Sequence, residues 1–178
     1  LCELEAADAK DLYATGWQHA ERFVAKDRDG KFDIHGIICR PMNFDPKKKY
    51  PVVEVIYAGP HGSFVPKGWR SRYGHWRDEL MELGFITVQI DGKGTNHRGR
   101  EFQHFAYKNI NDAGFPDRIK WMQAAAKKYP YMDLSRVGIY GGSAGGQNAM
   151  AAMLWHGEFY KAAAADCGCH DNRMDKVW

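Results

Sequence analysis

The sequence predicts an α/β fold built on a mostly parallel sheet with helices on both faces. Three observations support this. Short apolar runs alternate with amphipathic stretches from residue 50 onward, the pattern of parallel strands joined by helical crossovers. A hairpin pattern precedes them over residues 21–40. A glycine-rich corner, Gly141-Gly142-Ser143-Ala144-Gly145, leads from an apolar run into a helical one. The chain has 178 residues, 44% hydrophobic and 13% aromatic, enough for the core of one domain or part of one.

Residues 1–20 are polar and mixed and read as a lead-in segment or short helix, ahead of a domain over 21–178. Phe23 and Ala25 alternate with polar residues, and Phe32, Ile34, Gly36 and Ile38 share one face of the next run. Both are therefore strands of a hairpin. Asp27-Arg28-Asp29-Gly30 turns the chain between them. It resembles the opening of a calcium loop but lacks that loop's later ligands, so a turn is expected. Residues 51–57 form an apolar strand. Trp76, Leu80 and Leu83 fall at helical spacing, and Gly84 stops that helix. Residues 85–90 form the next strand. Phe115, Ile119, Met122 and Ala126 mark a helix with Pro116 in its first turn and Pro130 beyond its end. Residues 137–140 form a third parallel strand. Past the corner, Ala149, Met150, Met153 and Leu154 fall at helical spacing, with Gly157 as a stop. Residues 160–165 are a weaker, alanine-rich strand. A hairpin feeding such a sheet begins an α/β-hydrolase topology.

Composition excludes several function classes. Net charge is +3, and Lys47-Lys48-Lys49 is the one tight basic run, so a solvated loop is expected there and no nucleic-acid surface. The cluster of Trp69, Arg70, Arg72, Tyr73 and His75 reads as a helix lead-in on the same ground. No run of 18 apolar residues could span a membrane, and the N-terminus lacks the order of a signal peptide. The 4 cysteines are too scattered for a disulfide scaffold. Cys167-Gly168-Cys169-His170 has no second ligand pair at zinc spacing, so no metal is expected. No cofactor is implied. Gly92, Gly94 and Gly99 miss the dinucleotide-binding register and fit a turn-rich loop. Asn96, His97, Arg98 and Arg100 give that loop solvated polarity.

The corner carries the chemistry. Gly-x-Ser-x-Gly between a strand and a helix is the form of a nucleophile elbow. The turn exposes the Ser143 hydroxyl at a helix N-terminus, where free N–H groups favour developing negative charge. Ala144, next after the nucleophile, offers its backbone N–H to an oxyanion. A second donor is expected from the loop after residues 51–57, where the Tyr57 phenol can reach in; a core tyrosine is the plain alternative. A glycine turn without function and a phosphate loop are the rival readings of the corner. The phosphate-loop pattern is missing, because Gln147 and Asn148 follow the glycines. The base is harder to find. His156 ends a helix that runs away from the crevice. His170 has only Asp166 before it as an acid, too close for separate strands to present both. The acid and histidine are therefore expected outside this chain.

Three separated motifs resemble one family in order and spacing. They are Tyr57-Ala58-Gly59-Pro60; Asp91-Gly92-Lys93-Gly94-Thr95 with Gly99; and residues 138–146 around Ser143. Over residues 23–178 the chain resembles the catalytic domain of dipeptidyl peptidase IV-like enzymes, in the prolyl oligopeptidase family of serine peptidases. The resemblance implies a partial α/β-hydrolase catalytic domain lacking its last strands and helices, with an upstream β-propeller. It implies a peptide substrate, Ser143 as nucleophile, Tyr57 as oxyanion tyrosine, and a catalytic Asp and His on later loops. It is compatible with a homodimer and with an extracytoplasmic or periplasmic location. Two features depart from it. Ala144 stands where many relatives have tyrosine, and Trp178 is the one retained aromatic of a proline pocket. An esterase, an acyl-aminoacyl peptidase, a noncatalytic binding domain and a nucleotide-binding protein remain as alternatives.

Overall fold

A computed structural model describes residues 2–6, 8–68, 79–112 and 114–175. Among these, six strands form one sheet in the order β1-β2-β4-β3-β5-β6. The expected hairpin is β1 (Glu21–Lys26) against β2 (Asp33–Cys39), and β2 runs antiparallel to β4 (Ile86–Asp91). β3 (Tyr50–Val55), β4, β5 (Met132–Gly142) and β6 (Tyr160–Asp166) are parallel. The helices are α1 (Lys10–Ala14), α2 (Arg100–His104), α3 (Phe115–Lys128), α4 (Ala144–Trp155) and α5 (Asn172–Asp175). A helical turn also covers residues 79–82.

This strand order sets the position of the site. From β3 the chain crosses to β4 on one side, then returns to β5 and β6 on the other. The loops leaving the carboxyl ends of β3 and β5 therefore diverge, and a crevice opens where they part. The loop after β3 carries Tyr57 as its second residue, and the loop after β5 is Ser143 itself.

Helix α3 packs the core onto the sheet. Trp121 is fully buried and stands edge-on to Phe23 with ring centroids 5.2 Å apart. Its indole N–H donates to the Phe23 carbonyl at 3.2 Å. A side chain at Gly36 would come within 2.5 Å of that indole, so glycine on β2 is what admits the tryptophan. Of the expected stripe on α3, Phe115 and Met122 are fully buried, while Ile119 and Ala126 only border the core.

Two apolar stripes differ from expectation. Leu83 is 74% exposed and Met81 is buried in its place, while Trp76 lies outside the described residues. On α4, Met150 and Leu154 are exposed, and the buried face is Gly145, Gly146, Asn148, Ala149, Ala151 and Ala152. The reason is proximity. A helix whose first turn almost touches the strands can bury only small residues, so its large ones turn outward. The alanine-rich β6 is a strand as expected, but only Tyr160 in it is buried.

Charges hidden on α3 find partners at a distance. Arg118 and Glu54 are both fully buried, and the Arg118 guanidinium donates to Glu54 Oε1 and to the Ile90 carbonyl, each at 2.7 Å. The Tyr160 hydroxyl donates to Glu54 Oε2 at 2.7 Å. Burial, then the adjacent Glu54 charge, holds the Tyr160 phenol well above its ordinary pKa.

The hairpin turn is a second cluster. Lys93 reaches Asp27 at 3.0 Å and Asp29 at 2.5 Å. Arg28 pairs with Asp117 at 3.0 Å and with Asp112 at 2.8 Å. The acids that mimic a calcium loop thus surround an ammonium group, and the segment is a turn as expected. Burial alone would raise the Asp27 pKa; hydrogen bonds from Lys93, Phe32 and Lys31 outweigh it and hold the carboxyl below its ordinary value. A depressed folded pKa contributes stability above the unfolded value, and that stability is lost as pH falls through the folded one. Asp27→Asn is therefore expected to be less stable than the native chain at pH 7. Its deficit should shrink below about pH 4, the unfolded aspartate range. Thermal melts followed by circular dichroism across that range check this; a deficit independent of pH would contradict it.

Candidate active site

The corner between β5 and α4 has the geometry its sequence announces. Ser143 has φ 57° and ψ −123°, a conformation that costs a non-glycine residue about 1–3 kcal/mol. The strain is held in place from both sides. The Ser143 N–H donates to the Asp166 carbonyl at 2.9 Å, and its carbonyl accepts the Gln147 N–H at 3.1 Å. Its side chain is left exposed at the start of α4.

Two glycines make the corner sterically possible. A Cβ on Gly141 would lie 2.7 Å from the Ile56 carbonyl oxygen and closer still to the Gly145 backbone. A Cβ on Gly145 would collide with the same Ile56 oxygen and stand 3.5 Å from the Tyr57 ring. The end of β3 therefore packs directly against the first turn of α4, which brings Tyr57 beside the elbow.

Ser143, Ala144 and Tyr57 line one cavity of about 880 Å³, with Gly59, Pro60 and Gln147 among its other walls. Tyr57 is half-buried; its ring meets His61 edge-on at 5.7 Å and lies 4.7 Å from Phe64. The loop over residues 57–66 is fastened at several points. Asp91 accepts the Phe64 N–H at 2.8 Å and the Val65 N–H at 3.1 Å. Gln103 donates to the Pro60 carbonyl at 2.7 Å, and the Asn96 N–H to the Gly62 carbonyl at 2.9 Å. Asn148 on α4 accepts the Ala58 N–H at 3.1 Å. The Asp-Gly-Lys-Gly-Thr motif thus supports the site from behind: Asp91 anchors the tyrosine loop and Lys93 anchors the hairpin.

The other sequence candidates lie apart. His156 follows the last residue of α4, about 18 Å from Ser143 along a helix of this length. Its ring sits 5.2 Å from Phe115. His170 is exposed and absent from the cavity wall. Cys169 does line the cavity, and all 4 cysteines are free. Among the described residues no group of three or more His, Cys, Asp or Glu side chains is placed to hold a metal. Arg98 braces the fold, donating to the Asp33 carbonyl at 2.8 Å. Trp178 lies outside the described residues.

Sequence reasoning passed over His61 and His104, which both line the cavity, and the loop fastenings Asp91, Gln103 and Asn148. Polar residues at strand ends and on helix faces carry no periodic signal, and their partners are 26 to 90 positions away. Among the described residues, no helix is long and apolar enough to cross a membrane.

The family and the fold are shared with known proteins. Residues 72–178 match the Prolyl oligopeptidase family. Human and mouse dipeptidyl peptidase 8 are each 33% identical over 135 residues, covering 75% of this chain and 15% of theirs. The crystal structure of Porphyromonas gingivalis dipeptidyl peptidase 4 superposes with a TM-score of 0.77 at 28% identity, over 88% of this chain and 22% of that one. The chain thus spans 15% to 22% of the length of these relatives. The family match covers more than half of the residues and includes the elbow, and the fold is of the α/β-hydrolase kind. This chain belongs to the prolyl oligopeptidase family.

Proposed function

We propose that this chain supplies the nucleophile and the oxyanion donors of a serine peptidase, of dipeptidyl peptidase or prolyl oligopeptidase type. The observation that carries the reading is the left-handed Ser143 corner opening into the same cavity as Tyr57. In the proposed step the Ser143 Oγ attacks a peptide carbonyl, and an acyl-enzyme forms as the amine leaves. The Tyr57 hydroxyl and the Ala144 N–H hold the oxyanion, where fixed donors are worth far more than mobile water. The N-terminal end of α4 adds its partial positive charge. A histidine takes the Ser143 proton and returns it to the leaving amine, and an acid orients that histidine. We assign both to polypeptide outside this chain, on the ground of the family: neither His156 nor His170 lines the cavity, and His61 and His104, which do, pack their rings against Tyr57 and Tyr107. An upstream β-propeller and peptide substrates belong to the same proposal, on the ground of the family.

The test uses the complete natural polypeptide that contains these residues. A fluorophosphonate probe is expected to label Ser143, and peptide p-nitroanilides are expected to turn over. Turnover of simple esters alone would make the protein an esterase on this fold. Absence of Ser143 labelling would leave the elbow as scaffold for a noncatalytic binding domain and overturn the proposal.

A further inference from the structure

Asn148 joins the two halves of the site. It lies in the first turns of α4, the helix that starts at the elbow, and is 5% exposed. Its Oδ1 accepts the Ala58 N–H at 3.1 Å. Ala58 directly follows Tyr57 and is itself 6% exposed, so its N–H has no ready replacement in water. On the other side of Tyr57 the Ile56 N–H donates to the Tyr140 carbonyl at 2.8 Å, and further fastenings act along the loop on Pro60, Gly62, Phe64 and Val65. The backbone next to the tyrosine is thus held by the same rigid helix that presents the serine.

We propose that Asn148 is a positioning residue that sets the Tyr57 hydroxyl in register with Ser143. The inference rests on the proposed oxyanion role of Tyr57. An oxyanion donor is effective only near 3 Å from the developing charge, so the loop and the elbow must keep a fixed separation. An apolar residue at 148 strands the Ala58 N–H, and the loop can rehydrate that group only by shifting. Such a shift moves the phenol away from a charge that exists in the transition state and not in the bound substrate. It lowers kcat and leaves KM nearly unchanged.

A double-mutant cycle tests this in the complete natural polypeptide, with kcat and KM measured on a peptide p-nitroanilide and folding followed by thermal melts. Asn148→Leu is expected to lower kcat by about 10- to 100-fold, the scale of an ångström-level misplacement. On a Tyr57→Phe background the same substitution is expected to cost less than about threefold, because the group it positions is gone. Should the leucine variant fail to fold, Asn148→Val, which is smaller and likewise offers the Ala58 N–H no acceptor, enters the same cycle with the same expectation. Native kcat in the Asn148 variant, or equal losses on both backgrounds, overturns the positioning role. A Tyr57→Phe enzyme with native kcat instead overturns the oxyanion assignment itself, so the two failures are distinguishable.

Discussion

Ser143→Ala is expected to lower kcat by about 10⁴- to 10⁶-fold in the complete natural polypeptide, the range seen when a serine nucleophile is removed from an intact triad. The argument starts from the corner. A serine held at φ 57° between two glycines that admit no side chain has one benefit to set against its strain, which is exposure of its hydroxyl toward a cavity. Removing the oxygen leaves Tyr57, the Ala144 N–H and the helix terminus in place. Substrate binding should therefore persist with KM changed little, and the residual rate should be that of oxyanion stabilisation alone. The variant should also fold at least as well as the native chain, because alanine makes no new contact at an exposed site. Steady-state kinetics and a melt on one sample check both halves. A loss of less than about tenfold would mean that another group attacks the carbonyl, far from the nucleophile behaviour expected.

The second large effect concerns stability. Arg118→Met is expected to cost about 3–5 kcal/mol, because it leaves the Glu54 carboxylate buried without its cation. Glu54 is fully buried in the strand that leads to Tyr57, and the Tyr160 hydroxyl remains its other partner. For a domain of this size such a loss lowers the melting temperature by roughly 10 °C. Adding Glu54→Gln should recover much of it. The neutral amide still accepts from Tyr160 and no longer needs a counter-charge, so the double variant should be more stable than Arg118→Met alone. Denaturant midpoints for the two single variants and the double one measure the coupling. Strictly additive costs would show that the pair does not act as a unit.

Much of this fold was legible because its elements carry their own periodicity. The hairpin, the strands β3 and β4, and helix α3 each lie within a residue or a few of the expected spans, while β5 (Met132–Gly142) contains the expected 137–140 and extends well before it. The elbow was legible for a local reason. Gly-Gly-Ser-Ala-Gly is short, and its requirement for small residues is met within five positions. Local patterns failed where burial depended on distance between elements. Met150 and Leu154 have helical spacing yet face outward, because α4 approaches the sheet too closely to bury them. Asp117 and Arg118 are charged residues on α3 that are fully buried, because their partners come from residues far away in sequence.

The amino-acid order by itself determined the alternation of strands and helices, the strained serine and the family to which the chain belongs. Each is written in residues next to one another, where backbone sterics and side-chain size act directly. Only the tertiary structure decided that β3 lies between β4 and β5, that Tyr57 and Ser143 share one cavity, and that Asn148 fastens the first to the second. Those facts depend on which hydrogen bonds and charges lose water together, and that is settled by packing between distant segments.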